Sequence, residues 1–314
     1  MIRPSEYDIS EPTEQDFGHY GVSEKVFVYT VKACAILGQI VDGMYRQRAF
    51  QQKEITAITT SLCEWVRGLP PELQLFDTPG VRQLYHQAVS ELHIFYFNIV
   101  ILLEALAAQN ERYRRTTMVS IAASSCVASL YEEILCHEDV GSLLPINSFY
   151  CMVATIPQIY FCPQSAAREK IRQEELQTLT SVVEQMKRRF GGAETVLGNI
   201  SKLRRDVEAE YGFQAGPQSS CWMLQSSALA DWVDELFQCA RRLCPNVDLL
   251  YAGKDGRSAM TENSSFQGDN CYDWAFTEPL PYLNLFGLDG DIGNVDRFPA
   301  LDSDFQLHTA QFPE

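Results

Sequence analysis

An all-α fold is predicted by three observations. From residue 23 to residue 245, apolar side chains recur at i, i+4, i+7, the period of a helix that buries one face. No segment alternates apolar and polar residues over a strand's length or clusters β-branched residues. The stretch from 246 to 314 changes composition, with acids and scattered aromatics in place of the helical period. The prediction is a bundle or irregular solenoid of about eight helices. An acidic irregular segment at 1–22 precedes it, and an acidic tail at 246–314 that stays unfolded follows it.

The first helix is expected over Ser23 to Arg48, apolar along Phe27, Val31, Cys34, Val41 and Tyr45, with Ile36, Ile40 and Met44 widening the stripe. Gln51 to Arg67 repeats the pattern with Ile55, Ile58, Leu62 and Trp65. Gly68, Pro70 and Pro71 stop it, because proline lacks the amide donor and restricts its predecessor. After Pro79-Gly80, a long helix is expected from about Arg82 to Ala108 through Leu84, Leu92, Tyr96, Ile99, Leu103 and Leu106. Its apolar window, Leu92 to Ala108, falls short of a bilayer span and is interrupted by His93, Asn98 and Glu104, so it reads as a core helix.

A fourth helix at Tyr113 to His137 would bury Ile121, Ala122, Cys126, Leu130 and Ile134, ending at Asp139 to Ser142 and Pro145. Asn147 to Tyr160 should kink or end early at Pro157. Glu174 to Phe190 closes at Gly191-Gly192. Ala193 to Tyr211 carries Val196, Ile200, Leu203 and Val207. Leu224 to Leu243 carries Leu229, Trp232, Val233, Leu236, Phe237 and Ala240, and Pro245 ends it.

Composition restricts function. The chain has 41 acidic and 25 basic residues, a net charge of −16, which disfavours unaided contact with nucleic-acid phosphates or an anionic membrane. Residues 1–20 hold five acids and one Arg with no apolar core, unlike a signal peptide or a mitochondrial presequence. Ten cysteines occur without a Cys-x-x-Cys pair. Cys239 and Cys244 are five apart, on poorly matched helix faces, so neither zinc nor disulfides are expected in this chain. Glycine-rich phosphate loops, nucleophile elbows and zinc-protease signatures are absent. The acidic trio Asp231, Asp234 and Glu235 shares one helix face but has no second cluster to hold magnesium with it. Asp289 to Asn294 departs from a calcium loop at its glycine, and Ala300 stands where the bidentate Glu belongs. No catalytic, cofactor-binding or metal residue is assigned, and His86 and His93, placed on one helix, read as an exposed and a satisfied boundary residue.

Two stretches point to protein contacts. From Asp248 to Glu314 there are 12 acids and 3 basic residues, with Trp274, Phe276, Leu280, Leu283, Leu285, Phe286 and Leu288 threaded among them. Like-charge repulsion keeps such side chains in water and available to a partner's groove, the composition of an acidic-hydrophobic activation segment; a tail that merely aids solubility has the same composition. Arg168 to Arg205 holds nine Lys or Arg against five Glu, densest at Lys187, Arg188, Arg189 and at Lys202, Arg204, Arg205. These runs suit nuclear import or an ordinary solvated helix face.

Several strings resemble one family. Val31 to Tyr45, with Ala35-Ile36-Leu37-Gly38-Gln39-Ile40-Val41 and Met44-Tyr45, is similar to a helix ending in Tyr in the fungal-specific regulatory domain, the middle homology region of zinc-cluster transcription factors. Leu62-Cys63-Glu64-Trp65 followed by Leu69-Pro70-Pro71-Glu72-Leu73 resembles a second string of that domain, and Leu92-His93-Ile94-Phe95-Tyr96 with Ile101-Leu102-Leu103 a third. The opening, Met1 to Asp8 and Thr13 to Phe17, is similar to the cutinase and fatty-acid-gene activators of the family. The resemblance covers about residues 1–210. Where the family continues with Arg-Pro after the third string, this chain has Glu104-Ala105.

The resemblance implies a nuclear regulator of RNA polymerase II genes in a fungus, acting through a coactivator, a full-length regulator or a second copy of itself. It implies DNA contact only through a missing or partner domain, and zinc only in a missing N-terminal six-cysteine cluster. The alternatives are a stand-alone helical protein that senses a ligand or blocks a partner, and, last, an all-α enzyme. No contact with a membrane is expected.

Overall fold

The computed structural model of this chain describes residues 12–13, 16–18, 21–45, 51–77, 80–107, 116–161, 163, 165–211, 227–244 and 247, and the following statements concern these alone. The chain divides into two units, Met1–Asp269 and Asn270–Glu314. Every described residue belongs to the first. The anchors Trp274, Phe276, Leu280, Leu283, Leu285, Phe286 and Leu288 lie outside the described residues.

The fold is all-α, as the periodicity predicts. The eight described helices are α1 Val22–Tyr45, α2 Gln52–Arg67, α3 Gln87–Ala107, α4 Met118–Cys136, α5 Ile146–Tyr160, α6 Ala166–Met186, α7 Gly192–Tyr211 and α8 Ser227–Leu243. Two 3-10 turns, Pro71–Leu73 and Asp139–Ser142, join them. The only β pairing among the described residues is one isolated antiparallel bridge, Phe76 to Arg82.

α3 and α4 form the central pair. Every residue of α3 from 92 to 104 is buried, and α4 is buried continuously from 119 to 128. By length and composition Gln87–Leu106 and Met118–Cys136 are each long and apolar enough to cross a membrane, which corrects the expectation that the window at 92–108 falls short. Within the body, 89% and 72% of these stretches are buried. Around the pair, α5 lies on both helices, α6 and α7 cover α5, α1 packs on α3 with α2 beside it, and α8 packs on α4 and reaches α2.

Local chemistry sets most boundaries. Glu54 reaches back to the Gln51 amide (2.9 Å) to start α2, and Thr117 Oγ1 accepts from the Ser120 amide (3.0 Å) to start α4. Ser165 accepts from the Arg168 amide at 3.3 Å, so α6 begins at Ala166 rather than at the expected Glu174. Its polar first turns carry no apolar period to betray them. α5 runs through Pro157 and stops one turn later. Proline in a last turn costs a single backbone bond, and its carbonyl still accepts from the Phe161 amide at 3.0 Å.

Two further expectations fail. α3 begins at Gln87, not Arg82, because the chain reverses at Gly80 and pairs back: Gln83 N donates to the Leu75 carbonyl (3.0 Å) and Asp77 N to that of Val81 (3.0 Å). Gly80 has φ +86°, and a Cβ there would lie 3.1 Å from the Arg242 guanidinium, so the turn demands glycine twice over. His86 therefore precedes the helix it was assigned to, and Leu84, expected on its apolar stripe, is 96% exposed. In α1 the buried line is Val28, Ala33, Ile36 and Ile40, while Phe27 is 53% exposed and Cys34 is exposed. α1 is apolar over more than one face, and periodicity alone does not choose which face meets α3.

Candidate functional site

Two of the strings, Leu62 to Leu73 and Leu92 to Tyr96, meet at one aromatic joint with Tyr29, which stands two residues before the string at Val31 to Tyr45. α2 presents Trp65, whose ring stacks on Tyr96 of α3 (centroids 5.4 Å, planes 12° apart) and lies edge-on to Tyr29 of α1 at 6.4 Å. The Trp65 indole N–H donates to the Tyr29 carbonyl at 3.0 Å. From α8, the Trp232 indole donates to the Tyr96 hydroxyl at 2.9 Å, and both side chains are buried. Burial pushes the Tyr96 phenol upward. Four helices thus share one column of rings, each polar edge satisfied, as burial of Trp and Tyr requires.

Beside the column, the Leu69 to Leu73 segment forms a turn over α3. A His93 ring nitrogen bonds the Leu73 carbonyl at 2.8 Å. Desolvation drives the His93 pKa down to about 4, so the ring is neutral and donates to that carbonyl. His93 is a satisfied core residue. His86 is exposed, as expected.

The six basic residues do not form one patch. All six are exposed. Lys187, Arg188 and Arg189 sit at the turn after α6, where Lys187 pairs with Glu194 (3.0 Å), its charged form favoured by that carboxylate, and Arg189 lies over the Phe190 ring at 5.1 Å. Lys187 and Arg188, with Glu184 and Gln185, line a shallow surface hollow. Lys202, Arg204 and Arg205 lie about ten to thirteen residues along α7 from its start, about 15–20 Å of helix. Arg204 turns to Glu208 (2.9 Å) and Gln173 (3.3 Å), and Arg205 donates to the Ser201 carbonyl. Two separate basic clusters therefore mark the α6–α7 hairpin.

The acidic trio of α8 is exposed, and Arg67 of α2 grips Glu235 through Nε (3.0 Å) and Nη2 (2.9 Å), a link between helices. The expectation that Cys239 and Cys244 are poorly matched meets a correction. Cys244 follows the last residue of α8, and both thiols come near Cys126 of α4, whose enclosure raises its own thiol well above the usual range. Among the described residues no group of three or more His, Cys, Asp or Glu is set to hold a metal ion.

Buried carboxyls are what the sequence reading passed over. Glu104 of α3, standing where the resembling family has Arg-Pro, is buried against the Thr117 hydroxyl at the head of α4. Desolvation raises its pKa to about 7. Glu91 of α3 is raised by burial too, and accepts from Gln87 (3.0 Å) and Asn147 (3.0 Å), the latter bonded onward to the Tyr131 hydroxyl (2.8 Å). The signal for Glu104 was available: an acid inside an unbroken apolar run has no solvated face to turn toward.

Comparisons with protein-family models, with curated proteins and with solved structures return no significant match.

Proposed function

We propose that this chain regulates transcription of RNA polymerase II genes in a fungal nucleus through protein–protein contacts. The helical body at 23–245 acts as the regulatory domain and the segment at 246–314 as an acidic activation segment. The observation that carries the reading is the joint of Tyr29, Trp65 and Tyr96. Two of the strings that resemble the fungal-specific regulatory domain, Leu62 to Leu73 and Leu92 to Tyr96, converge on it, with the Leu69 to Leu73 turn fixed by His93, and Tyr29 stands two residues before the string at Val31 to Tyr45. The acid-and-aromatic composition of the C-terminal segment supports the second half of the proposal. The exposed clusters at Lys187 to Arg189 and at Lys202 to Arg205 suit an import receptor's acidic groove. The partners are a coactivator or a full-length regulator, and DNA is reached through another domain or another chain.

A reporter tests this. Residues 271–314 tethered to a heterologous DNA-binding domain should activate transcription, and Trp274→Ala combined with Phe286→Ala should silence it. A tethered segment without activity would remove the activation role. If the full chain then co-purified with an intact regulator and lowered its output, the protein would be a partner-blocking module instead.

A further inference from the structure

Gln158 of α5 is enclosed on all sides. Its Nε2 donates to Glu175 Oε2 on α6, and its backbone carbonyl accepts from Arg172 at 3.2 Å, but its amide oxygen Oε1 has no hydrogen-bond partner. A buried carbonyl left unpaired loses its hydration without recompense. On the other side of this contact, Glu175 Oε2 accepts twice, from Gln158 and from Ser125 Oγ of α4 at 2.9 Å. Oε2 thus behaves as the carbonyl oxygen of an acid. An ionised carboxylate would offer Gln158 only acceptors, whereas a protonated one supplies the donor that Oε1 lacks.

We propose that Glu175 keeps its proton in the folded protein and donates it to Gln158 Oε1, closing a neutral acid–amide pair that fastens α6 to α5 and α4, and that loss of this proton to solvent loosens α6. The surroundings favour the neutral form. As a whole residue Glu175 is half-buried, but its carboxyl lies against Ser125 and Gln158, both fully enclosed, and this desolvation raises its pKa to about 7. Glu132 of α4 and Glu174 of α6 push in the same direction, while the Ser125 and Gln158 donors push back. Among the described residues no Lys or Arg forms an ion pair with it. Arg172 of α6 is held by Glu169 (2.7 Å), Arg204 of α7 turns to Glu208, and Asp139 in the 3-10 turn next to α6 is taken by the Tyr85 hydroxyl. A carboxyl whose folded pKa lies above its unfolded value of 4.5 contributes stability that is complete below 4.5 and is lost as pH rises through about 7.

The test is carboxyl-carbon NMR of the full chain labelled at glutamate, titrated across neutral pH, together with amide exchange of α6. One resonance, identified by its disappearance in Glu175→Gln, should titrate near neutrality. Exchange in α6, corrected for intrinsic rates, should quicken by up to about tenfold per pH unit from about 4.5 up to that midpoint, the ceiling for one linked proton, and level off above it. In Glu175→Gln this dependence should vanish. Ser125→Ala, which removes a donor favouring the charged form, should move the midpoint upward and serves as the probe if Glu175→Gln does not fold. A midpoint in the ordinary carboxylate range, or α6 exchange with the same pH dependence in Glu175→Gln, would overturn the proposal.

Discussion

The α3–α4 pair and the α6–α7 pair use similar numbers of residues to opposite ends. α3 and α4 are enclosed on nearly every side, so the few polar groups they carry must be neutral or bonded: His93 to a carbonyl, Ser124 to the Ala154 carbonyl (2.6 Å), Glu104 to Thr117. α6 and α7 bury Arg168, Leu176, Leu179, Val182, Val183, Met186 and Ala193, Ile200, Leu203, Val207, and, apart from the half-buried Glu175, turn most of their charged side chains to solvent. The same residue type therefore behaves differently by address. Glu208 is an exposed counter-ion to Arg204, whereas Glu104 is held near neutrality. Enclosure shifts the titration of acids and histidine in one pair; solvent leaves the exposed faces of the other charged.

The largest effect that sharpens this contrast comes from the enclosed side. Trp65→Ala should destabilise the body by about 3–5 kcal/mol in denaturant unfolding, the usual cost of emptying an aromatic core site. A loss under about 1 kcal/mol would mean that the joint with Tyr96 is not core.

Next is pH. With Glu104 raised above 4.5, its contribution to stability is complete below 4.5 and falls as pH climbs through about 7. His93, lowered from 6.5, contributes fully above 6.5 and loses that contribution as pH drops through about 4. Stability should therefore decline on both sides of mildly acidic pH. Glu104→Gln should flatten the alkaline limb, by up to about 1.4 kcal/mol per pH unit at the steepest. An alkaline limb identical to the wild type would release Glu104 from the account.

The smallest effect is expected at the border of the two chemistries. Leu84→Ser should change stability by less than about 0.5 kcal/mol, since the side chain is 96% exposed. A larger loss would restore the sequence's helix over 82–86.

How much of this was legible depends on how each feature is encoded. Helix identity was, because a 3.6-residue period survives in α2, α7 and α8, where one face meets the core. The start of α3 was not. Arg82 and Leu84 fit a helical stripe by spacing, and only the Gly80 reversal and its bonds to Leu75 and Asp77 take them out of it. The buried face of α1 was hidden for another reason: Phe27, Val31 and Cys34 on one side and Ile36 and Ile40 on the other satisfy the same period. Tertiary packing breaks that tie. The acid–amide contact of Glu175 and Gln158 joins residues 17 apart on different helices. Nothing in either residue's own neighbourhood signals it, since Glu174 beside it is exposed and has the same local sequence context.

The ring column has an optical consequence. Trp65 and Trp232 approach Tyr96 from different helices, one by stacking and one by its indole N–H, so α1, α2, α3 and α8 are wired to two fluorophores in a dry setting. An effector or partner that pries α2 or α8 from α3 would wet both indoles and shift their emission to longer wavelength. The protein thus carries, without labelling, an intrinsic gauge of whether its helical body is closed or open.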